Sequence, residues 1–235
     1  MRRRAVVLSG RGRTGDPWHR FDQTTACLAQ VLRDAGLRVE VRPADRPEAF
    51  CRLDAVELLV LNTCTGPDPE QQPAPGEAWQ QAHHELGAWL DGGGALLACH
   101  TAVASLRDWE QWPARLGGRW VRGTSGHPPL AVSVFQPAPG ALEHPLLAGI
   151  DRIDGVTPHG EPVAAVVALD EKYTDLELHP NARPVLGHLA GERFQVMGWT
   201  VGSRTVYDGM GHDERSFASP SRRRYLRNEV DWLLG

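Results

Sequence analysis

The chain has 235 residues, of which 41% are hydrophobic and 23% are charged. This composition excludes both a disordered chain and a membrane protein, and the length accommodates one or two domains. The formal net charge of -4, from 25 basic and 29 acidic residues, offers no basic surface for a nucleic acid. We therefore expect neither a nucleic-acid partner nor a membrane partner. Lys172 is the single lysine, so Schiff-base chemistry is disfavoured, whereas ten histidines call for a chemical explanation.

The cysteines and the N-terminus indicate the compartment. No Cys-x-x-Cys pair is present, so neither a zinc ribbon nor a thioredoxin-like motif is expected. We interpret the cysteines as buried free thiols: Cys27, Cys51, Cys64 and Cys99. The apolar run at residues 5–8 is too short for a signal-peptide core or a membrane span. These features predict a cytoplasmic protein.

The first hundred residues alternate between apolar runs and helical patterns. In chain order, the pattern predicts a strand at 5–8, a helix capped by Asp22 and ended by Gly36, a half-buried strand at 37–41, a strand at 56–61, a helix at 79–90 and a strand at 95–99. This alternation predicts right-handed crossovers and a parallel sheet. The half-buried second strand fits the edge position of the flavodoxin-like strand order. Function in such sheets lies at the carboxyl ends of the strands.

The pattern loosens from about residue 113 to 184, where only short strands are expected, at 130–135 and 163–169. We interpret this region as an irregular elaboration that packs on the same core. Beyond it, strands at 194–200 and 204–208 pair through a turn at Gly202, and a helix follows at 221–234. The sequence therefore predicts one domain over residues 1–235, an α/β flavodoxin-like three-layer sandwich with a mostly parallel central sheet.

Five residues, Ala98-Cys99-His100-Thr101-Ala102, have the pattern of a nucleophile elbow, in which small residues flank a central side chain between a strand and a helix. We expect a helix at 101–106, whose N-terminus would favour developing negative charge near His100 and keep its imidazole neutral. A neutral imidazole suits a general base. The alternatives are that His100 caps the helix or is a hydrogen-bonded core residue. Strand alternation turns Cys99 away from the cleft, into the packing.

His212 and Asp213 follow a glycine-rich strand exit, where they can form an acid/base pair or part of a metal site. Glu171 follows another expected strand and can reach the same cleft, although a charged turn is the alternative. Trp109, Ser125, His127 and Tyr173 are predicted to bind substrate, with tryptophan as a sugar platform or simply a core residue. A third glycine after Gly10-Arg11-Gly12 is missing, which disfavours a dinucleotide. Six further histidines lack a metal-ligand spacing and are interpreted as surface or structural residues: His83, His84, His144, His159, His179 and His188.

Several motifs occur together in a characteristic order: Gly92-Gly93-Gly94, His100, Gly117-Gly118, His127-Pro128-Pro129, His144-Pro145, Asp170-Glu171-Lys172-Tyr173, Trp199, and Tyr207 leading to Gly211-His212-Asp213. In these motifs the sequence resembles the ThuA-like, or trehalose-utilisation, family over nearly the whole chain. The resemblance implies a fold related to class I glutamine amidotransferases, in which the elbow holds a nucleophilic cysteine and a His-x-Glu unit completes a triad. His100 looks like the occupant of the elbow position, and His212 is similar in place to the triad histidine. Imidazole does not readily form the glutamyl thioester, so glutamine hydrolysis should be lost.

The resemblance also implies carbohydrate substrates, either disaccharides or their 3-keto derivatives. Our leading hypothesis is an enzyme in which His100 and His212 exchange protons with a small sugar next to a carbonyl group, assisted by Glu171 and Asp213. A rival hypothesis is a non-catalytic sugar-binding or partner subunit with a degenerate site. No cofactor is firmly implied, but a second enzymatic variant places a divalent metal on His100, His212 and a carboxylate. The sequence leaves the identity of the sugar and a homo-oligomeric state open.

Overall fold

A computed structural model describes residues 3–65, 76–154 and 161–235, so His159 lies outside the described residues. The strands are β1 (Arg4–Ser9), β2 (Arg38–Pro43), β3 (Leu58–Asn62), β4 (Ala95–Cys99), β5 (Gly118–Arg119), β6 (Ala131–Pro137), β7 (Arg152–Ile153), β8 (Val163–Ala164), β9 (Val166–Asp170), β10 (Glu177–Leu178), β11 (Ala182–Ala190), β12 (Arg193–Val201) and β13 (Thr205–Asp208). The α-helices are α1 (Phe21–Asp34), α2 (Glu77–Asp91), α3 (Trp112–Leu116) and α4 (Pro220–Leu234). None of these helices is long and apolar enough to cross a lipid bilayer.

One nine-stranded sheet organises the molecule, in the order β2-β1-β3-β4-β13-β12-β11-β6-β9. The first five strands of this order are parallel, and the others continue the sheet with antiparallel pairings. β3 and β4 are buried along their whole length, as continuous Val, Leu and Ala runs predict for central parallel strands. β2 lies at the edge and is partly exposed, so the predicted flavodoxin-like α/β fold is confirmed.

The helices cover both faces of the sheet. α1 and α4 contact each other, whereas Arg115 of α3 binds Asp91 at the end of α2. The predicted cap of α1 is wrong by two positions, because Arg20 occupies the N-cap and its carbonyl oxygen accepts the first helical bonds. Asp22 lies in the first turn, where its charge still favours the helix N-terminus. Gly36 adopts a φ of 85° just after the helix, a left-handed conformation that glycine adopts readily.

The expected helix at 101–106 is also wrong in type. A single 3-10 helix spans His100–Ala104, and the N–H of Ser105 bonds to the carbonyl oxygen of Ala102 as the turn ends. Five residues of 3-10 helix carry only a small dipole. The environment of His100 is therefore set by its neighbouring side chains rather than by a helix terminus.

The region at 113–184 contributes strands to the main sheet. β6 pairs with β9 over five residues but joins β11 through only two pairs, at Leu186 and Gly187. The register of β11 against β12 shifts at both sides of Leu186, which marks a β-bulge. A Cβ atom on Gly187 would lie 2.1 Å from the carbonyl oxygen of Gln195, so only glycine fits there. The bulge bends the sheet where β6 and β9 attach.

A buried charge cluster links β13 to α4. Arg222 is fully buried and forms an ion pair with Asp208. Glu229, also fully buried, lies close enough to interact with both. Burial raises the pKa of Glu229 well above its ordinary value, and the charge of Asp208 raises it further. One guanidinium thus faces two carboxyl groups, and the arrangement is neutral only when one of them keeps its proton.

Candidate functional site

His100 lies where β4 ends and has a backbone φ of 47°, a strained value for a residue with a side chain. Two hydrogen bonds hold the backbone and the ring of His100 in place. The hydroxyl of Tyr207 donates to its carbonyl oxygen at 2.9 Å, and its Nδ1 lies 2.7 Å from the carbonyl oxygen of Gly209. Because a carbonyl oxygen only accepts, Nδ1 carries the proton in that bond. This bond aims Nε2 of His100 at the site.

His19, in the loop between β1 and α1, is oriented in the same way. Its Nδ1 lies 2.8 Å from both carboxylate oxygens of Asp16, so Nδ1 donates and Nε2 carries the lone pair. The Nε2 atoms of His19 and His100 are 3.2 Å apart. Two ring nitrogens that both point lone pairs at each other repel, unless a proton or a cation lies between them.

Glu171 follows β9 and completes the cluster with His212. Its Oε2 lies 3.5 Å from Nε2 of His100, and its Oε1 lies 3.2 Å from Nδ1 of His212. The preceding residue, Asp170, accepts hydrogen bonds from the backbone N–H groups of Gly211 and His212, which ties the loop after β13 to the end of β9. We name His19, His100, Glu171 and His212 the histidine cluster.

Mutual charge sets the ionisation of this cluster. Burial alone would raise the pKa of Glu171, but its contacts with His100 and His212 outweigh burial and lower the pKa. Hydrogen bonding to Glu171 raises the pKa of His212 in turn, against the effect of burial. Burial lowers the pKa of His19, and it outweighs the opposing influence of Asp16. Glu171 is therefore ionised, and His19 is neutral at neutral pH.

Tyr173 faces the cluster from the side. Its hydroxyl lies 2.8 Å from Nε2 of His100, and burial raises its pKa well above the ordinary value, so the phenol is a neutral donor. Its ring packs edge-on against Trp120, with centroids 5.0 Å apart. A cavity of about 260 Å³ opens here, with walls that include His19, Tyr173, Trp18, Trp120, Arg107 and His127.

The sequence of the chain was compared with models of known protein families. The sequence matches the ThuA family, described as trehalose utilisation, over residues 4–233. The chain belongs to the ThuA family. No curated protein matches its sequence.

Solved structures place the ThuA-family chain among related folds. A ThuA-like protein from Parabacteroides merdae has a TM-score of 0.70 at 15% identity, covering 100% of this chain and 90% of that one. A glutamine amidotransferase from Thermotoga maritima has a TM-score of 0.56 at 10% identity, covering 100% and 99%. The α-L-fucosidase isoenzyme 2 of Paenibacillus thiaminolyticus also has a TM-score of 0.56, at 13% identity, covering 99% of this chain and 33% of that one. At these identities the likeness shows the fold alone, which is the one that the ThuA-like resemblance implies.

The structure brings together five of the residues predicted for the site. They come from the ends of three different strands and from the loop after β5: His100, His127, Glu171, Tyr173 and His212. His127 is the outermost, with its Nδ1 3.3 Å from Oε1 of Glu171.

Three other predicted residues lie outside the histidine cluster of this ThuA-family chain. Trp109 stacks on His83 and lines a neighbouring cavity. The hydroxyl of Ser125 is engaged by backbone groups of its own loop and of residue 175. The carboxylate of Asp213 binds Arg215, which lowers its pKa despite burial. Asp213 thus turns away from its neighbour His212.

His19 and Asp16 are the site residues that our sequence reasoning missed. They lie in a glycine-rich loop that follows the first buried strand, at the carboxyl edge where function was expected. An Asp-x-x-His spacing in such a loop is the signal that could have identified them, since the carboxylate can hold the ring three residues later.

The thiols of this ThuA-family chain do not supply a nucleophile at the elbow. Cys99 is 2% exposed, and burial raises the pKa of its thiol well above the ordinary value. Cys64, which borders the cavity, is also buried, and its pKa is raised by burial and by Asp16. The side chain that contacts Glu171 and Tyr173 at the end of β4 is therefore the imidazole of His100 rather than a thiol.

Proposed function

We propose that this ThuA-family protein is an enzyme that processes a small carbohydrate, a disaccharide or a 3-keto-sugar, by His-based acid/base chemistry, which on a keto-sugar moves a proton next to the carbonyl group. The observation that carries this proposal is the meeting of oriented groups beside one cavity, which His19 and Tyr173 line. Nε2 of His100 lies 3.2 Å from Nε2 of His19 and 2.8 Å from the hydroxyl of Tyr173, a neutral donor.

The cavity supports a small, hydroxyl-rich substrate. Its volume of about 260 Å³ lies just below the range of roughly 300–1,000 Å³ typical of ligand pockets, so it suits one sugar ring better than a long chain. Trp18 and Trp120 line it, and aromatic faces are suitable platforms for a sugar ring. The name of the family, trehalose utilisation, supports the same substrate class.

Removal of a proton next to a carbonyl needs an electron-pair donor and a group that stabilises the negative oxygen. The lone pairs of His19 and His100 meet the first requirement, and Glu171 holds His212 in place beside them. The Tyr173 hydroxyl meets the second, because its raised pKa keeps its proton available as a donor. No covalent nucleophile is required, which agrees with the buried, protonated thiols.

The test is solvent exchange. The protein is incubated in D₂O with a panel of disaccharides and 3-keto-sugars, and NMR follows deuterium uptake next to the carbonyl together with product formation. We expect His100→Asn to lower the rate by roughly 10²–10⁴-fold, the usual contribution of a positioned acid or base. Asparagine is chosen because it tolerates a positive φ. His84→Ala, on the exposed side of α2, is the matched control and should leave the rate unchanged.

Three results contradict the proposal. Unchanged turnover in His100→Asn excludes the assigned site. Calorimetric binding of a sugar with neither exchange nor product favours the non-catalytic sugar-binding subunit. Glutamine hydrolysis by the wild-type protein contradicts the loss of amidotransferase activity.

A further inference from the structure

We propose that the histidine cluster binds one divalent transition-metal ion through Nε2 of His19, Nε2 of His100, a ring nitrogen of His212 and the carboxylate of Glu171. This inference deepens the proposed function at the same site, but it does not depend on which substrate the enzyme uses. One potential ligand atom from each of the four residues lies within 4.8 Å of all the others. A single ion can therefore contact all four after small movements of the side chains.

The tautomers of two histidines are already set for coordination. Metal-ligating histidines almost always donate their second N–H to a carboxylate or a backbone carbonyl, which aims the other nitrogen at the ion. His19 does so to Asp16, and His100 does so to Gly209. With each Nδ1 as the donor, the two Nε2 atoms face each other 3.2 Å apart without a proton to share, and the Tyr173 hydroxyl is the neighbouring donor to that of His100. A cation between them converts this repulsion into two bonds.

Two buried atoms at the same point are poorly satisfied. Within the described ranges, Oε2 of Glu171 and Nδ1 of His212 are inaccessible to solvent and make no well-aligned hydrogen bond, although each lies within 3.5 Å of an oppositely polarised atom of the cluster. Glu171 as a whole is only 5% exposed. An ionised carboxylate in such a place is costly unless a charge or a metal compensates it. Three imidazoles supply that charge only by taking up protons, whereas one divalent ion supplies it directly.

The donor set selects the class of ion. Three imidazole nitrogens and one carboxylate oxygen suit zinc, iron, cobalt, nickel or manganese. Magnesium and calcium prefer shells of oxygen ligands, and no thiolate belongs to the cluster to favour copper(I). We therefore expect Zn²⁺, Co²⁺ or Mn²⁺ to bind and Mg²⁺ not to bind at comparable concentration.

A bound ion changes how the proposed reaction is divided among the residues. The lone pairs of His19 and His100 would then act through the ion, which polarises a carbonyl or a hydroxyl oxygen. Tyr173 and His127 lie beside the cluster outside the ligand set, and the Tyr173 hydroxyl would keep its proton available for the substrate. Without an ion, direct proton transfer falls to Nε2 of His19 and of His100.

The experiment measures the ion without any substrate. Protein purified without a histidine tag is analysed for metal content, dialysed against EDTA and titrated calorimetrically with Zn²⁺, Co²⁺, Mn²⁺ and Mg²⁺. We expect one Zn²⁺ or Co²⁺ per chain and a visible d–d absorption of the Co²⁺ form. His100→Asn and Glu171→Gln should each weaken binding by roughly 100-fold or more, whereas His84→Ala should not change it. Circular dichroism confirms that each variant is folded, and His19→Asn replaces any variant that is not.

The outcomes separate the two proposals. The absence of stoichiometric Zn²⁺, Co²⁺ and Mn²⁺ binding overturns the metal site and leaves direct proton transfer untouched. Binding that survives both His100→Asn and Glu171→Gln places the ion elsewhere and also overturns it. Stoichiometric binding that these variants abolish, with no turnover of any sugar, supports the metal site while the proposed function fails.

Discussion

Replacement of Glu229 by glutamine should change how the stability of the protein depends on pH. In the fully buried cluster, Arg222 neutralises one of two carboxyl groups, and burial raises the pKa of both Asp208 and Glu229. The folded state therefore holds a proton that the unfolded chain releases above about pH 4.3. Since the folded state binds more protons, the free energy of unfolding falls as pH rises through this window. The glutamine side chain in Glu229→Gln keeps the shape of the glutamate and cannot titrate.

The size of the effect follows from the proton count. One extra proton in the folded state costs about 1.4 kcal/mol per pH unit, from the unfolded pKa up to the folded one. For a chain of this size, 1 kcal/mol corresponds to roughly 2–4 °C in Tm, so the slope is about 3–6 °C per pH unit. We expect the Tm of Glu229→Gln to rise relative to the Tm of the wild type by up to this amount for each pH unit of increase. The other ionisable groups are the same in both proteins, so their contributions cancel in the difference.

Thermal unfolding at pH 5, 6, 7 and 8, at constant ionic strength, measures this difference directly. Glu192→Gln, in the exposed turn between β11 and β12, is the control and should follow the wild type at every pH. A Tm difference between Glu229→Gln and the wild type that stays constant across the four pH values would refute the shared-proton interpretation. A difference that shrinks with rising pH would show that the proton balance has the opposite sign.

Three further predictions test the site and its supports. Asp16→Asn should lower the Zn²⁺ affinity roughly 10-fold, because the neutral amide orients the His19 ring less firmly; calorimetry that finds wild-type affinity would contradict this. Gly209→Ala should cost about 1–3 kcal/mol in urea unfolding, since its Cβ would lie 2.5 Å from the carbonyl oxygen of Met197; an unchanged unfolding midpoint would show that the strand relaxes freely. Cys99 should resist iodoacetamide in the native protein and react only after unfolding, as peptide mass spectrometry can show, because burial keeps its thiol protonated; rapid native alkylation would restore it as a candidate nucleophile.

The parallel half of the sheet was predictable because β1, β3 and β4 are short continuous apolar runs, a pattern typical of strands covered on both faces. The antiparallel half of the sheet is harder to predict from the sequence. β6 and β9 were located as isolated apolar segments, but their attachment depends on a bulge at Leu186, which no periodicity specifies. Register at a bulge is decided by tertiary packing.

The site shows the same division. His100 and His212 were found because they closely follow strands, where the position of a side chain relative to the sheet can be inferred. His19 lies ten residues beyond β1, in an irregular loop whose path the local sequence does not determine. Residue type alone predicts a substrate contact for Trp109, but its place is set by stacking on His83, a partner from α2.

The curvature of the sheet has a consequence for the site. β4 and β9 are five steps apart in the strand order, which in a flat sheet would separate their ends by about 24 Å. His100 and Glu171 lie at those two ends, yet Nε2 of His100 is 3.5 Å from Oε2 of Glu171, a contact that two side chains could not make across about 24 Å. The antiparallel half must therefore curve back toward the parallel half, and the bulge beside Gly187 is one of the places where it bends. A substitution that straightened this bend would draw the carboxylate out of the cluster without touching any residue of the site.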